Sequence, residues 1–462
     1  MAMNLSSSSA PTLRHRPGNV CDPWSAGARA LHFDLLQGRE GPQGAARARA
    51  FLQRHLEWTE ELEDDLPRGP AREVLAALPR WCQASSEATG ARFQRYLSGR
   101  RSGAPRQLFR NHTHALYVLR ALAPTKLVDG SWLYGLLPHW RDRRLAPLIR
   151  TYLEELGDGV DAHNHVAIYL RLLARHGCED WQELPDAHFV RGCLQLALAA
   201  GGSDLLPEVV GYNLGYEQLP LHLLITVHEL RELGIDPWYF SLHITIDNAH
   251  SGHARLAIQA LQQLWPVTGE SETFMARVRR GYRLNQLGPS IEELAAGFDL
   301  DREFRRILSE RARLGRDLHG DHCRLGDRPL RQWLAQGVDA LVDALERHGW
   351  IQRHQPPRCS RFWRLLHGSR PAMLGVFSPY ELAVIHDWIA GRMPGGELAP
   401  PPARSPSSLA APPVEDSDAR QLEQHSGQPL SEALILEYMS PRSHYTPGGL
   451  AATRCFRQLC SV

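Results

Sequence analysis

From Ala45 onward the apolar residues recur at the spacing of a helix face, as in Phe51, Leu52, Leu56 and Leu62 and then Val74, Leu75 and Leu78. Residues three and four apart share one side of a helix, so each such run must bury a stripe against another element. Further stretches with this period cover about 106–122, 143–156, 163–176, 187–200, 204–233 and 237–265, then 290–315, 328–348 and 378–391. Alternating runs of β-branched residues are few. The expected fold class is therefore all-α, helix packed on helix in a bundle.

The chain divides by composition. Residues 1–44 read as an irregular N-terminal segment, 45–265 as the main helical domain and 266–392 as a helical C-terminal extension packed on it. Residues 393–462 read as a Pro-rich linker and a poorly ordered tail, with a short helix at about 429–438. With 462 residues, 43% hydrophobic and 22% charged, the chain suits one large or two medium soluble domains. A formal net charge of +1 argues against a nucleic-acid binder, which needs a basic face to displace counterions. Lys126 is the single lysine in a chain rich in arginine, a bias that fits a GC-rich genome and leaves little scope for Schiff-base chemistry. The first twenty residues are polar and lack the apolar stretch of a secretory signal, and no uninterrupted apolar run approaches a membrane span. No membrane association is expected, and the expected compartment is the cytoplasm. Eight scattered cysteines without a C-x-x-C pair read as thiols, not as a disulfide framework or a zinc site.

The segment W-Y-F-S-L-H-I-T-I-D-N-A-H (238–250) carries the densest chemistry. At about 100° per residue, His243, Asp247 and His250 fall at roughly 0°, 40° and −20° of one helix. Their neighbours Leu242, Ile244, Ile246 and Ala249 are apolar or small, which marks a buried stripe. A buried carboxylate costs several kcal/mol unless paired or bound to a metal. Two readings fit: Asp247 orients both imidazoles in a hydrogen-bonded core, or all three hold a divalent cation. His253 lies some 60° further round and reads as an outer or surface residue. Glu154 and Glu155 end an earlier helix, and after the Gly157-Asp158-Gly159 turn His163 and His165 open the next. A third contribution is Glu217 in G-Y-N-L-G-Y-E-Q-L-P (211–220), set in an apolar helix beside Pro220. Mixed imidazole and carboxylate donors on facing helices suit non-haem iron or manganese, and six or seven of them suffice for two ions.

These three blocks, E-E-L-G-D-G with His165, G-Y-N-L-G-Y-E-Q-L-P and H-I-T-I-D-N-A-H, resemble in order and spacing the haem-oxygenase-like diiron oxidases and oxygenases, a superfamily often labelled iron-containing redox enzymes. The resemblance covers about residues 105–265, and the stretch 359–381 is similar to an extension of longer members. It implies a seven-helix haem-oxygenase-like fold without haem, and Glu155, His165, Glu217, His243, Asp247 and His250 as iron ligands. Glu155 is preferred to Glu154 because its ten-residue separation from His165 fits the family's pattern. Where the family has a further glutamate on an earlier helix, this chain offers Asp129, one methylene shorter, which ligates only if its backbone comes closer. The implied cofactors are two irons per chain cycling between Fe(II) and Fe(III), with O2 as co-substrate and an external reductant. The implied reaction is oxygenation of an amine nitrogen, or C–H or C–C oxidation, on a small amine- or carboxylate-bearing metabolite. Expected partners are that substrate and an electron donor, with homodimerisation left open.

Competing readings are a metal-dependent hydrolase on the same ligands, a non-catalytic iron- or haem-binding helical protein, and an interaction scaffold built on the linker. The group His319-Gly-Asp-His322-Cys323 reads as a turn, and His386-Asp387 lacks the further partners a phosphohydrolase needs. Trp132, Tyr216, Tyr239 and Phe240 read as cavity lining or plain core, and Asn164, Asp158 and Asn248 as groups that orient the imidazoles.

Overall fold

The computed structural model describes residues 24–38, 41–246, 252–267, 269–315, 319–367, 373, 375–391 and 417–460. Helices α1 (Ala28–Leu36), α2 (Gly41–Trp58) and α3 (Ala71–Arg101) open the chain. Helix α1 lies within the segment expected to be irregular; Leu31, His32 and Leu35 bury one face, and the helix packs on α7. The central bundle comprises α4 (His112–Lys126), α5 (Ala146–Glu155), α6 (His165–His176), α7 (Val190–Gly201), α8 (Leu206–Tyr216), α9 (Leu221–Glu232), α10 (Trp238–Ile246), α11 (His253–Gln263) and α12 (Ser271–Arg283). Then follow α13 (Ile291–Ala296), α14 (Leu300–Gly315), α15 (Leu330–Gln336), α16 (Val338–Arg347), α17 (Arg361–His367) and α18 (Pro379–Ala390). Among the described residues the strand content is one two-residue antiparallel pair, Arg324–Leu325 with Arg328–Pro329. Among the described residues the fold is all-α, as expected.

Local chemistry sets the breaks. Asn111 and Asn164 cap α4 and α6, accepting from the backbone N–H groups of His114 and Ala167. The run read as one helix over 204–233 is two, because Pro220 cannot continue an α-helix; α8 ends at Tyr216 and α9 begins at Leu221. Glu217 is thereby the residue that closes α8, not one inside a helix. By length and composition the helical run Asp186–Tyr216 is apolar enough to cross a bilayer. It turns at Gly202, however, and packs as core helices α7 and α8 against α4 and α12.

Helix α12 lies beyond the expected boundary at 265 yet meets α8 backbone to backbone. A Cβ on Gly211 would collide with the Val278 carbonyl, and one on Gly281 with that of Glu208. Buried Glu208 accepts from Arg277 Nε at 2.8 Å and Arg280 Nη2 at 3.1 Å across the same contact. Residues 417–460, expected to be a loose tail with one short helix, form α19 (Ser417–Ser426), α20 (Glu432–Tyr438) and α21 (Pro447–Cys460). They are ordered because Leu422, Leu434, Ile435, Met439 and Phe456 all bury against the rest of the protein.

Four histidines away from the central carboxylates are held neutral by the fold. Burial lowers His32, His55, His176 and His188 each to about 4, against 6.5 for a free imidazole. His32 and His55 donate to the carbonyls of Pro124 and Phe51 at 2.9 and 2.7 Å. Between about pH 6.5 and pH 4 the unfolded chain binds protons that the folded chain refuses, so stability rises with pH across that window. Denaturant unfolding is expected to show full stability above pH 6.5 and a loss on the order of a few kcal/mol by pH 5. A flat profile between pH 7.5 and 5 would contradict this.

Candidate metal centre

Six described side chains converge from six separate elements. Asp129 lies in the turn after α4, Glu155 ends α5, His165 opens α6, Glu217 closes α8, His243 sits on α10 and His253 opens α11. None is more than 6% exposed. Helix-end placement runs against the helix dipole: a carboxylate at a C-terminus or an imidazole at an N-terminus loses roughly 0.3–1 kcal/mol relative to the reverse. Helix stability therefore does not explain Glu155, Glu217, His165 or His253.

The side chains form two groups with one member in common. Asp129, Glu155, His165 and His243 bring donor atoms within 4.8 Å of one another, and so do Glu155, Glu217 and His253. Glu155 Oε2 lies 2.5 Å from His165 Nδ1, and Oε1 lies 3.6 Å from His253 Nδ1. One carboxylate thus turns one oxygen toward each group. The rings of His165 and His243 stand 4.4 Å apart, and His243 Nε2 is 3.2 Å from Asp129 Oδ2.

Outer contacts fix which ring nitrogen faces the centre. His243 Nδ1–H donates to the Tyr239 carbonyl at 2.9 Å, which leaves Nε2 as the inward lone pair. His253 Nε2–H donates to Glu154 at 2.6 Å, which turns Nδ1 toward Glu217 at 3.0 Å. A neutral imidazole has one N–H, so Nδ1 then meets a carboxylate lone pair to lone pair, a pairing that a cation between them makes favourable. Burial would raise the Glu154 carboxyl, but His253 and Arg150 outweigh it and hold it down at about 2. Arg150 itself spans Glu154 at 2.7 Å and Asp158 at 2.9 and 2.7 Å.

Asp129 reaches the centre despite its short side chain because its backbone comes close. Gly130 adopts a φ of 78°, and a Cβ there would sit 2.8 Å from Glu155 Cβ. Only glycine lets the turn rest on α5 in this way. Tyr216 donates to Asp129 Oδ1 at 2.5 Å, and the Tyr239 hydroxyl donates to Oδ2. Burial and the adjacent carboxylate push both phenols far up, so they remain donors. For Asp129, burial acts upward, yet Lys126 first and then His243 and His165 hold it well below the ordinary carboxylate range. Lys126 Nζ lies 3.7 Å from Asp129 and 2.9 Å from the Tyr216 hydroxyl. The chain's sole lysine, read from sequence as a matter of composition, therefore belongs to this site.

Three buried carboxylates against one lysine form an anion-rich pocket whose hard oxygens and imidazoles match divalent iron or manganese. Glu155, Glu217 and Asp129 with His165, His243 and His253 would hold two ions sharing Glu155. Of the residues singled out in the sequence, Asp129, Glu155, His165, Glu217 and His243 are brought together, while Asp247 and His250 lie outside the described residues. His253, read as an outer residue, is part of the second group. A 60° offset holds only along one continuous helix, whereas Gly252 is extended (φ −90°, ψ −165°) and α11 starts afresh at His253. The glycine before it was the signal for that break. His163 is exposed and takes no part. Trp132, Tyr216, Tyr239 and Phe240 do pack around the pocket, but the two tyrosines serve as donors to Asp129.

No curated protein and no solved structure gave a significant match to the chain. A family model described as iron-containing redox enzyme matches residues 116–286, a span that holds all six converging side chains. Over that span the chain is similar to the iron-containing redox enzymes, the family its motifs resemble.

Proposed function

We propose that the protein is a non-haem diiron oxidase or oxygenase that uses O2 to oxidise a small metabolite bearing an amine or a carboxylate. The observation that carries this reading is Glu155, whose two oxygens face two separate sets of imidazole and carboxylate donors. Iron bound there supplies the one-electron redox chemistry by which O2 is reduced at the expense of substrate and an external reductant.

The chain's own residues prepare that site. Tyr239 and Glu154 hold the ring tautomers of His243 and His253, so the inward nitrogens are set before any ion arrives. Tyr216 and Tyr239 keep their protons and orient Asp129, and Lys126 offsets its charge. Burial of all six side chains excludes bulk water and strengthens each electrostatic contact. No nucleophilic side chain is required by such chemistry.

Anaerobic loading with Fe(II), followed by O2 and a panel of amines and carboxylates, tests the reading. O2 uptake that depends on iron and on one substrate class, and is lost in His243→Ala, is the expected result. Metal-dependent hydrolysis without O2 uptake would favour the hydrolase reading, and porphyrin absorption in the purified protein would favour a haem binder. Either outcome would overturn the proposal.

A further inference from the structure

We infer that residues 431–460, which lie far beyond the family-matched span, clamp the metal pocket, and that His444 is a positioning residue for His165. The inference rests on the reading of Glu155 and His165 as metal ligands.

The connection between Glu155 and His165 is a tight turn, 156–164, with Asp158 in the left-handed region (φ 55°). Four contacts from the C-terminal segment fall on this turn and on the last turn of α5. Tyr152, three residues before Glu155, donates its hydroxyl to the Met439 carbonyl at 2.6 Å. Arg457 meets Asp158 at 3.2 Å, and Arg454 donates to the Gly159 carbonyl while also binding Asp418 at 2.8 and 2.7 Å. The approach is close enough that a Cβ on Gly159 would lie 2.7 Å from the Leu450 carbonyl oxygen.

The fourth contact bears on the ligand itself. Asn164 caps α6, whose first residue is His165, by accepting from Ala167 N–H at 3.0 Å. Its amide nitrogen donates to the Leu156 carbonyl at 3.2 Å and to His444 Nδ1 at 3.1 Å, with the His444 carbonyl at 3.4 Å. Asn164 therefore ties the residue after Glu155 to the helix that begins with His165, and the fully buried His444 holds Asn164 in that orientation. A segment that merely covered an apolar face would have no reason to place its buried polar atoms on the two strands of one ligand-bearing turn. The chain returns some 280 residues later to brace it.

The test is the Fe(II) affinity of the full-length chain, measured anaerobically, with Co(II) absorption as a second report on the donors. His444→Leu removes the acceptor and should weaken Fe(II) binding about 10–100-fold, as loss of a group that orients a ligand does. His444→Asn places an amide oxygen near the Nδ1 position and should restore most of that affinity. Phe304→Leu, which disturbs the Phe304–Trp388 stack between α14 and α18, two helices that carry none of the converging side chains, should lower thermal stability and leave affinity unchanged. Wild-type affinity and Co(II) spectrum in His444→Leu would overturn the clamp, and failure of His444→Asn to recover would overturn the role given to Nδ1. If His444→Leu does not fold, Arg457→Gln cuts the partly exposed bond to Asp158, and an unchanged affinity there overturns the clamp equally. A wild-type chain that binds neither metal would instead overturn the ligand reading beneath it.

Discussion

Glu155→Gln is expected to abolish metal binding at both positions while leaving the metal-free protein at least as stable as the parent. Glu155 is the one described residue common to both donor groups, so on the proposed reading its charge would serve two ions at once. In the metal-free chain it faces Asp129 and Glu217 across a buried pocket, where like charges repel and water screens little. Neutralising it removes that repulsion. Fe(II) at about a hundred times its dissociation constant should stabilise the wild type by about 2.7 kcal/mol per ion against unfolding. The variant should show no such shift. Thermal unfolding with and without Fe(II), beside elemental analysis, reads both halves of the prediction. A variant that retains two irons, or that is destabilised without metal, would contradict the shared-carboxylate geometry.

The second large effect is expected at Glu229, far from any metal chemistry. This fully buried carboxylate on α9 accepts from the Tyr96 hydroxyl at 2.8 Å and from the backbone N–H groups of Gln107, Leu108 and Phe109 at 2.6, 3.0 and 2.8 Å. It thereby fastens α3 and the entry to α4 onto α9 with one side chain. Glu229→Ala leaves those donors without an acceptor in the interior and should cost about 3–5 kcal/mol. The denaturation midpoint should fall accordingly, whereas iron stoichiometry measured under folding conditions should hold. A loss below about 1 kcal/mol would show that water replaces the carboxylate.

Glu229 also shows where sequence reasoning stops. Nothing in its spacing separates it from a surface glutamate, because its partners, three backbone N–H groups and the Tyr96 hydroxyl, lie 120 to 133 residues away. The all-α class was legible, since amphipathic periodicity is a local property that each helix carries by itself. Glu155 was preferred to Glu154 because its ten-residue separation from His165 fits the pattern of the resembled family, and the structure sets its carboxylate between both donor groups. The structure gives Glu154 a different task, holding the outer nitrogen of His253. What escaped were features that depend on chain breaks and returns. His253 was misplaced by carrying helical angles across Gly252, and α19 and α21, unlike the short helix expected at about 429–438, were missed because a Pro-rich stretch precedes them. Lys126 looked like compositional residue until the fold set its ammonium beside Asp129. Asp129 itself was visible as a departure from the expected glutamate. The compensation, a glycine that lets the turn rest on α5, was not.

On the proposed reading two ions share Glu155 within one chain. Iron content per chain, after anaerobic Fe(II) loading of the full-length protein and removal of loose metal, addresses it most directly. A value near two is expected; a value near zero or saturation at one would contradict the shared carboxylate.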